Sequence, residues 1–167
     1  MSEKTTLKLC KIALPRWADF PTLELYMDQV TGLLDNYLSF MRHECDEKEK
    51  IVTPSIINNY VKQGMIPPPV KKKYSKEHLA KLVILCTLKQ VMPLSSLSII
   101  LDTMLKNEKL DTVYNNFCDD FEKAVEENLV YISDKSPKYD ENIETALKLS
   151  IKSSSAKLVA DAILDKN

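Results

Sequence analysis

Residues 53–76 have the sequence TPSIINNYVKQGMIPPPVKKKYSK, and this segment contains the strongest local signals for the predicted fold. Thr53 offers an N-cap oxygen, and Pro54 suits the first position of a helix. Gly64 follows at the distance where a left-handed residue commonly ends a helix. These signals predict a helix at about 54–63. The prolines of residues 67–69 then predict a stiff turn that delivers consecutive lysines.

The predicted helix has an apolar side and a polar side. The polar side consists of positions three or four residues apart, which are Ser55, Asn58, Asn59 and Lys62. Asparagine is a poor helix former, so each asparagine costs roughly a few tenths of a kcal/mol. Base reading would favour them, because the carboxamide matches the donor and acceptor of the adenine edge in the major groove. The alternative is that they are tolerated surface residues or that they cap a neighbouring loop.

The segment after this helix is basic. Its candidate phosphate contacts are the residues of the loop and of the next helix start, namely Lys71, Lys72, Lys73, Tyr74 and Lys76. No acidic residue occurs within residues 53–76. A rigid loop that holds ammonium groups beside a short helix is suited to contacting phosphates on either side of a groove. The alternative is an ordinary solvated turn.

Charge is unevenly distributed along the chain. Residues 53–104 carry seven basic and two acidic side chains, whereas residues 1–52 and 105–167 have net charges of −2 and −4. The whole chain has a formal net charge of only −1. The middle third therefore has an attraction to nucleic acid that the chain as a whole lacks.

Composition excludes several classes of protein. The chain has 167 residues, of which 44% are hydrophobic and 28% charged, as is typical of a globular domain. Its two glycines, Gly32 and Gly64, cannot form a glycine-rich phosphate loop. The cysteines show no paired spacing, and no carboxylate pair or Ser/His/Asp set has a catalytic spacing. We therefore expect no enzyme, no cofactor and no metal site.

Most of the remaining chain has helical periodicity. Helices are predicted at about 22–41, 76–91, 94–105, 109–129 and 139–165. Ser75 is the expected N-cap of the second of these, and His78 in its first turn is expected to cap or be partly buried rather than to bind a ligand. Residues 14–21 indicate an extended arm that docks Trp17 and Phe20 on the core.

Two further features concern the ends of the chain. The first twenty residues lack the unbroken apolar stretch of a secretory signal. No apolar run approaches the roughly 20 residues that cross a bilayer. We therefore expect a cytoplasmic protein that does not use a membrane. In the last predicted helix, the serines at residues 153–155 are a candidate break.

Residues 53–69 and 72–79 resemble the second helix and wing of MerR-type winged helix-turn-helix regulators. The MerR pattern there runs approximately S-P-x-T-I-R-Y-Y-E-x-x-G-L-I-P-P and then R-x-Y-S-x-x-D-L. A closer resemblance is to an uncharacterised bacterial family with such a MerR-like module. Its recurring phrases are LYMDQV, INNY, PPPVKKKYS and LKQV, found here at residues 25–30, 57–60, 67–75 and 88–91. The resemblance covers roughly residues 14–105.

This resemblance implies an all-α fold, in which a winged helix-turn-helix with a minimal β wing is followed by a C-terminal helical pair. It implies an N-terminal arm at residues 1–20, a winged domain at 21–106 and a C-terminal helical region at 107–167. Asn58, Asn59 and Lys62 would then face the major groove, and the wing at 70–75 would contact phosphates. Lys72 stands where the MerR pattern has an arginine, so the bidentate fork is lost there.

The expected function is that of a sequence-specific DNA-binding transcriptional regulator that binds double-stranded DNA. MerR-type proteins dimerise through a C-terminal helix, so residues 139–165 are expected to pair with a second copy of the chain. The alternative for this helix is packing on its own domain. Alternatively, the basic segment within residues 53–76 belongs to a non-catalytic protein-interaction module that binds an acidic partner.

Overall fold

The computed structural model describes residues 12–42, 50–133 and 139–165. The chain divides into two units. The first unit is residues 13–119, and the described part of the second consists of Ile12 and residues 120–133 and 139–165. The first unit therefore extends beyond the expected 21–106 domain in both directions. It takes in residues 13–20 of the arm and the start of a C-terminal helix.

The described residues form six α-helices and two short strands. In chain order these are β1 (Leu25–Tyr26), α1 (Met27–Tyr37), α2 (Pro54–Lys62), β2 (Lys73–Tyr74), α3 (Lys76–Leu88), α4 (Leu94–Asn107), α5 (Leu110–Ser133) and α6 (Tyr139–Leu164). Short 3-10 turns occur at Trp17–Asp19 and Ser39–Met41. The two strands pair antiparallel, with Leu25 opposite Tyr74 and Tyr26 opposite Lys73. The expected all-α class is confirmed.

The predicted helix at 22–41 is wrong at both ends. Thr22 caps no helix, and the Leu23 side chain that follows it is 78% exposed. The chain instead forms β1, and α1 begins at Met27, where Gln29 Oε1 accepts the Tyr26 N–H at 2.9 Å. After α1 the chain tightens into the second 3-10 turn. Helical periodicity missed the strand because its pairing partner lies far away along the chain.

The helix α2 confirms the prediction made from its local signals. Thr53 Oγ1 accepts the Ile56 N–H at 3.4 Å at the N-terminal end. At the other end Gly64 has a φ of 73°, and the Met65 N–H donates to the Tyr60 carbonyl at 2.9 Å. This is a Schellman ending, in which a left-handed residue lets the chain satisfy the last helical carbonyls.

The helix α3 lies in the middle of the core of the first unit. Its fully buried apolar residues include Leu79, Leu82, Val83, Leu85 and Cys86. The elements packed on it include α1, α4 and β2. Burial of a large apolar side chain stabilises a fold by about 1.5–3 kcal/mol. The buried residues of α3 therefore stabilise the packing of the elements that contact it.

The arm docks on the core as expected, although one 3-10 turn interrupts its extended course. Phe20 is buried, and its ring centroid lies 5.0 Å from that of Tyr114. The Tyr114 hydroxyl donates to the Pro15 carbonyl at 2.7 Å. The Trp17 N–H donates to Asn115 Oδ1 at 2.9 Å. The first turns of α5 thus hold the arm, which is why the first unit reaches residue 119.

The helix α6 of the second unit runs without a break through residues 153–155. Ser155 Oγ donates to the Lys152 carbonyl at 2.9 Å, so this hydroxyl is satisfied within the helix. Several of its large apolar side chains are exposed, including Ile143, Leu147, Ile151 and Leu158. Among the described residues, no helix is both long and apolar enough to cross a bilayer.

Candidate nucleic-acid interface

The outer side of α2 presents the polar residues that the sequence singled out. Ser55, Asn58, Asn59 and Lys62 are all exposed. On the opposite side Ile57 is fully buried, which fixes the helix on the core. The polar side of α2 therefore faces solvent and is free for a partner.

Tyr60 fixes the buried side of α2 on α3. It is 2% exposed and lies against Cys86 of α3. Burial is the main cause that raises the pKa of the Tyr60 hydroxyl, and the neighbouring Cys86 adds to it. Burial also raises the pKa of the Cys86 thiol, to about 11, so neither group ionises near neutral pH. Tyr60 serves as a neutral core residue that holds α2 in place.

A residue that sequence reasoning missed, Gln63, lies next to this polar side. Its Nε2 donates to Asn59 Oδ1 at 3.1 Å. The two residues are four apart, which is the spacing at which side chains meet on a helix. That spacing was a signal in the sequence, but Gln63 lies at the end of the helix, where periodicity says little.

The lysine hairpin, residues 70–73, follows the proline turn. Val70 and Lys73 exchange backbone hydrogen bonds of 3.1 and 2.9 Å. Between them Lys71 and Lys72 have φ values of 49° and 65°. This is a type I′ turn, which normally takes Asn-Gly because both central residues are left-handed. The left-handed conformation costs a residue with a Cβ roughly 1–2 kcal/mol.

The lysines of this region differ in their surroundings. Lys71 and Lys72 are exposed. Lys73 Nζ lies 5.5 Å from the ring centroid of Tyr26, and Lys76 Nζ lies 5.1 Å from that of Trp17. At these distances a cation is attracted to the face of the ring. The rings therefore position Lys73 and Lys76, which are half-buried, whereas the two turn lysines extend into solvent.

Tyr74 was expected to contact phosphate, and the structure corrects this. Its side chain is 3% exposed, and its ring meets that of His78 edge to face, with the centroids 5.4 Å apart. Burial raises the pKa of its hydroxyl. Because neighbouring residues of a strand point to opposite faces, Tyr74 points into the core when Lys73 points away from it. Tyr74 supports the hairpin and cannot reach a phosphate.

His78 joins the start of α3 to the proline turn. Its Nδ1 accepts from the Ser75 N–H at 3.0 Å and from the Ser75 hydroxyl at 2.8 Å. The other ring nitrogen, Nε2, must then carry the proton and donates to the Pro67 carbonyl at 3.1 Å. Burial lowers the pKa of the imidazole, which favours this neutral form. The capping role expected for His78 is confirmed.

Within residues 12–42, 50–133 and 139–165, no group of three or more His, Cys, Asp or Glu side chains is placed to hold a metal ion. Cys86 and Cys118 are free and buried. The chemistry that this surface offers is thus that of ammonium groups, carboxamides and a hydroxyl.

Comparison with known proteins gives one match. A family model described as a domain of unknown function, DUF1836, matches residues 15–117. No curated protein and no solved structure matches the chain. The matched range includes residues 15–20 of the arm, α2 and the lysine hairpin, and it ends within α5, close to the unit boundary at residue 119.

Proposed function

The chain belongs to the DUF1836 family, and we propose that it is a sequence-specific DNA-binding transcriptional regulator with a MerR-like winged helix-turn-helix. In this proposal α2 enters the major groove of double-stranded DNA. Ser55, Asn58, Asn59 and Lys62 face the bases. The lysine hairpin contacts phosphates beside the groove.

The order of elements supports this proposal. From β1 to α3 the chain forms a strand, two helices, a second strand and a further helix. The helix α1 packs on α2, on α3 and on both strands. In helix-turn-helix proteins the second helix of the pair enters the major groove, and α2 is the second helix in the order of elements here. The connection at residues 38–53 is longer than the usual turn of roughly three or four residues.

The observation that carries the proposal is the backbone of Lys71 and Lys72. Both are left-handed and both are exposed. Asparagine and glycine would fit this turn at lower cost, so stability alone does not favour lysine there. Side chains that are kept against the preference of the backbone commonly serve a function. For two exposed ammonium groups, the function that their chemistry fits best is contact with phosphates.

The charge of the surrounding sequence favours the same class of partner. Residues 53–76 combine five lysines with no acidic residue. A duplex carries about one negative charge per 1.7 Å of its axis, so a local excess of lysine is drawn to it even in a nearly neutral protein. The carboxamides of α2 then add groups that can distinguish bases.

A second candidate function is binding of an acidic protein partner by the same surface. Tyr26 and Val70 lie opposite Lys73 on either side and are 50% and 63% exposed. Exposed apolar side chains beside a cation are typical of protein interfaces. A partner with acidic and aromatic residues would fit this mixed surface.

The proposed regulator acts as a dimer of two copies that pair through α6. The exposed apolar residues of α6 include Ile143, Leu147, Ile151 and Leu158, each at least 57% exposed. Their spacings of four and seven residues place them along one side of the helix. Two copies that bury these stripes against each other would present two α2 helices to two half-sites.

Selection of bound sequences from a pool of random duplexes tests the proposal. We expect enrichment of a shared sequence with two related half-sites. Asn58→Ala should lower discrimination at one base pair of each half-site by about 1–3 kcal/mol. Asn116→Ala, which changes an exposed asparagine of α5, is the matched control and should leave the selected sequence unchanged.

Two results would contradict this account. If the selection enriches no shared sequence, the hypothesis that α2 reads bases is wrong. Failure to retain any duplex, together with retention of a polyglutamate peptide, would instead favour the acidic protein partner.

A further inference from the structure

Three side chains form one row, the outer row, on the outer face of the two-stranded sheet. Tyr26 is paired with Lys73 across the strands, and Lys73 is paired with Val70 within the lysine hairpin. Residues that lie opposite each other in antiparallel strands point to the same face. Tyr74, the next residue of β2, is buried in the core, so the outer row points to solvent. Its two ends, Tyr26 and Val70, are 50% and 63% exposed.

We propose that the outer row contacts the DNA backbone, and that Tyr26 is the positioning residue that holds the Lys73 ammonium group for a phosphate. This inference rests on the proposed function, because it assumes that the protein binds a duplex. It extends the proposed interface beyond α2 and the lysine hairpin to β1.

The ring of Tyr26 orients the Lys73 ammonium group without neutralising it. Lys73 Nζ lies 5.5 Å from the ring centroid, within the range of about 6 Å for a cation–π interaction. An aromatic ring has a quadrupole but no net charge, whereas a carboxylate would cancel the charge of the lysine. In the part of the chain that the structure describes, Lys73 forms no ion pair with a carboxylate. The ammonium group is therefore held in place and keeps its full charge for an anionic partner.

The two ends of the outer row strengthen the expected contact. Tyr26 and Val70 flank Lys73, which is half-buried. Its side chain thus has less freedom and less contact with water than those of the exposed turn lysines. A side chain that is already ordered loses less entropy on binding. Charges that are partly shielded from water are also screened less by salt. Lys73 should therefore contribute a well-ordered contact to duplex binding.

The outer row is continuous with the surface that is proposed to contact phosphates. Lys71 and Lys72 form the turn that joins Val70 to Lys73, so they lie directly beside the row. Neighbouring strands of a sheet are about 4.8 Å apart, so the row spans roughly 10 Å. A DNA strand carries one phosphate for about every 3.4 Å of helix axis. A backbone that contacts the turn therefore has further phosphates within reach of Lys73.

Tyr26 allows a cleaner test than the similar pair of Trp17 and Lys76. Lys76 Nζ lies 5.1 Å from the ring centroid of Trp17, but this ring also packs edge to face on the buried Phe20. Replacing Trp17 would therefore disturb the arm as well as the lysine. Tyr26 is half exposed, and its backbone N–H donates to Gln29 Oε1, a hydrogen bond that a substitution of the side chain retains.

A double-mutant cycle tests the inference, with the full-length protein and a duplex of random sequence, because phosphate contacts carry no sequence information. We expect Tyr26→Leu to weaken duplex binding about threefold, the size of a cation–π interaction at an exposed site. Tyr26→Phe keeps the ring and should bind like the wild-type protein. Lys73→Ala should lower the slope of log affinity against log salt by about 0.9 in magnitude. Tyr26→Leu should then have no further effect in the Lys73→Ala background.

Lys72→Ala combined with Tyr26→Leu is the matched control. Lys72 is exposed and lies outside the outer row, so the fold-changes of these two substitutions should multiply. Circular dichroism and urea unfolding of each variant check that the fold is retained.

Three results overturn the inference and leave the proposed function standing. The first is an unchanged affinity in Tyr26→Leu. The second is an equal loss in Tyr26→Phe, because the hydroxyl and not the ring would then be responsible. The third is that the fold-changes of Tyr26→Leu and Lys73→Ala multiply, because Tyr26 would then not act through Lys73. A wild-type chain that binds no duplex overturns the proposed function and this inference with it.

Discussion

Gly64 at the end of α2 and Lys72 in the lysine hairpin have nearly the same backbone conformation but opposite residue types. Their φ values are 73° and 65°. A Cβ added to Gly64 would meet nothing within 4 Å, so only the backbone favours glycine there. At Lys72 the same backbone preference is overridden, and Lys71 before it is also left-handed. The end of α2 is built for stability, whereas the hairpin keeps side chains that stability does not favour.

The largest effect on stability is expected when the hairpin receives residues that suit the left-handed conformation, as Gly64 does at the end of α2. Lys71→Asn combined with Lys72→Gly gives the preferred sequence of a type I′ turn. We expect the free energy of unfolding to rise by about 2 kcal/mol, because glycine has no Cβ and the short polar side chain of asparagine can hydrogen-bond locally in the left-handed conformation. Urea unfolding followed by circular dichroism measures the change. Lys106→Ala combined with Lys109→Ala removes two exposed lysines elsewhere and should give no such rise. An unchanged midpoint in the hairpin variant would mean that the turn carries no strain.

The converse substitution, at the end of α2, should lower the free energy of unfolding, and by a smaller amount. Gly64→Ala places a Cβ on a left-handed residue in open space. We expect the free energy of unfolding to fall by about 1 kcal/mol, from backbone strain alone. The same urea titration measures it. A loss several times larger would show that α2 depends on Gly64 for more than its φ.

The smallest effect on stability is expected from protonation of His78, which joins α3 to the turn before the hairpin. Burial lowers its pKa below the ordinary value of 6.5, so the unfolded chain binds more protons as the pH falls below that value. The free energy of unfolding should therefore decrease as the pH falls from about 6.5 toward the lower folded-state pKa, and His78 should add no pH dependence above this range. His78→Gln keeps an acceptor for the Ser75 N–H but does not titrate. If the wild-type protein and this variant lose stability equally on acidification, His78 is not the group responsible.

Local signals were enough to predict α2 and its surface. The N-cap at Thr53, the left-handed Gly64 and the polar spacing of the helix depend only on neighbours in sequence. The capping role of His78 and the position of α3 were predicted for the same reason. These are features in which short-range chemistry decides the structure.

Features that depend on distant partners were not predicted. The start of α1 was misplaced because β1 forms only when it meets β2. The burial of Tyr74 depends on which face of β2 meets the core, and the local sequence does not show this. The strain at Lys71 and Lys72 follows from the closure of the hairpin by Val70 and Lys73, and not from the lysines themselves.

We propose that Lys71 and Lys72 contact phosphates and that their left-handed conformation lowers the stability of the hairpin. The most direct measurement is the salt dependence of duplex binding by the wild-type protein and by the Lys71→Asn, Lys72→Gly variant. If each lysine contacts one phosphate, the slope of log affinity against log salt should be smaller in magnitude by about 1.8 in the variant. The variant would then be the more stable protein and the weaker binder. Equal slopes for the two proteins would contradict the claim.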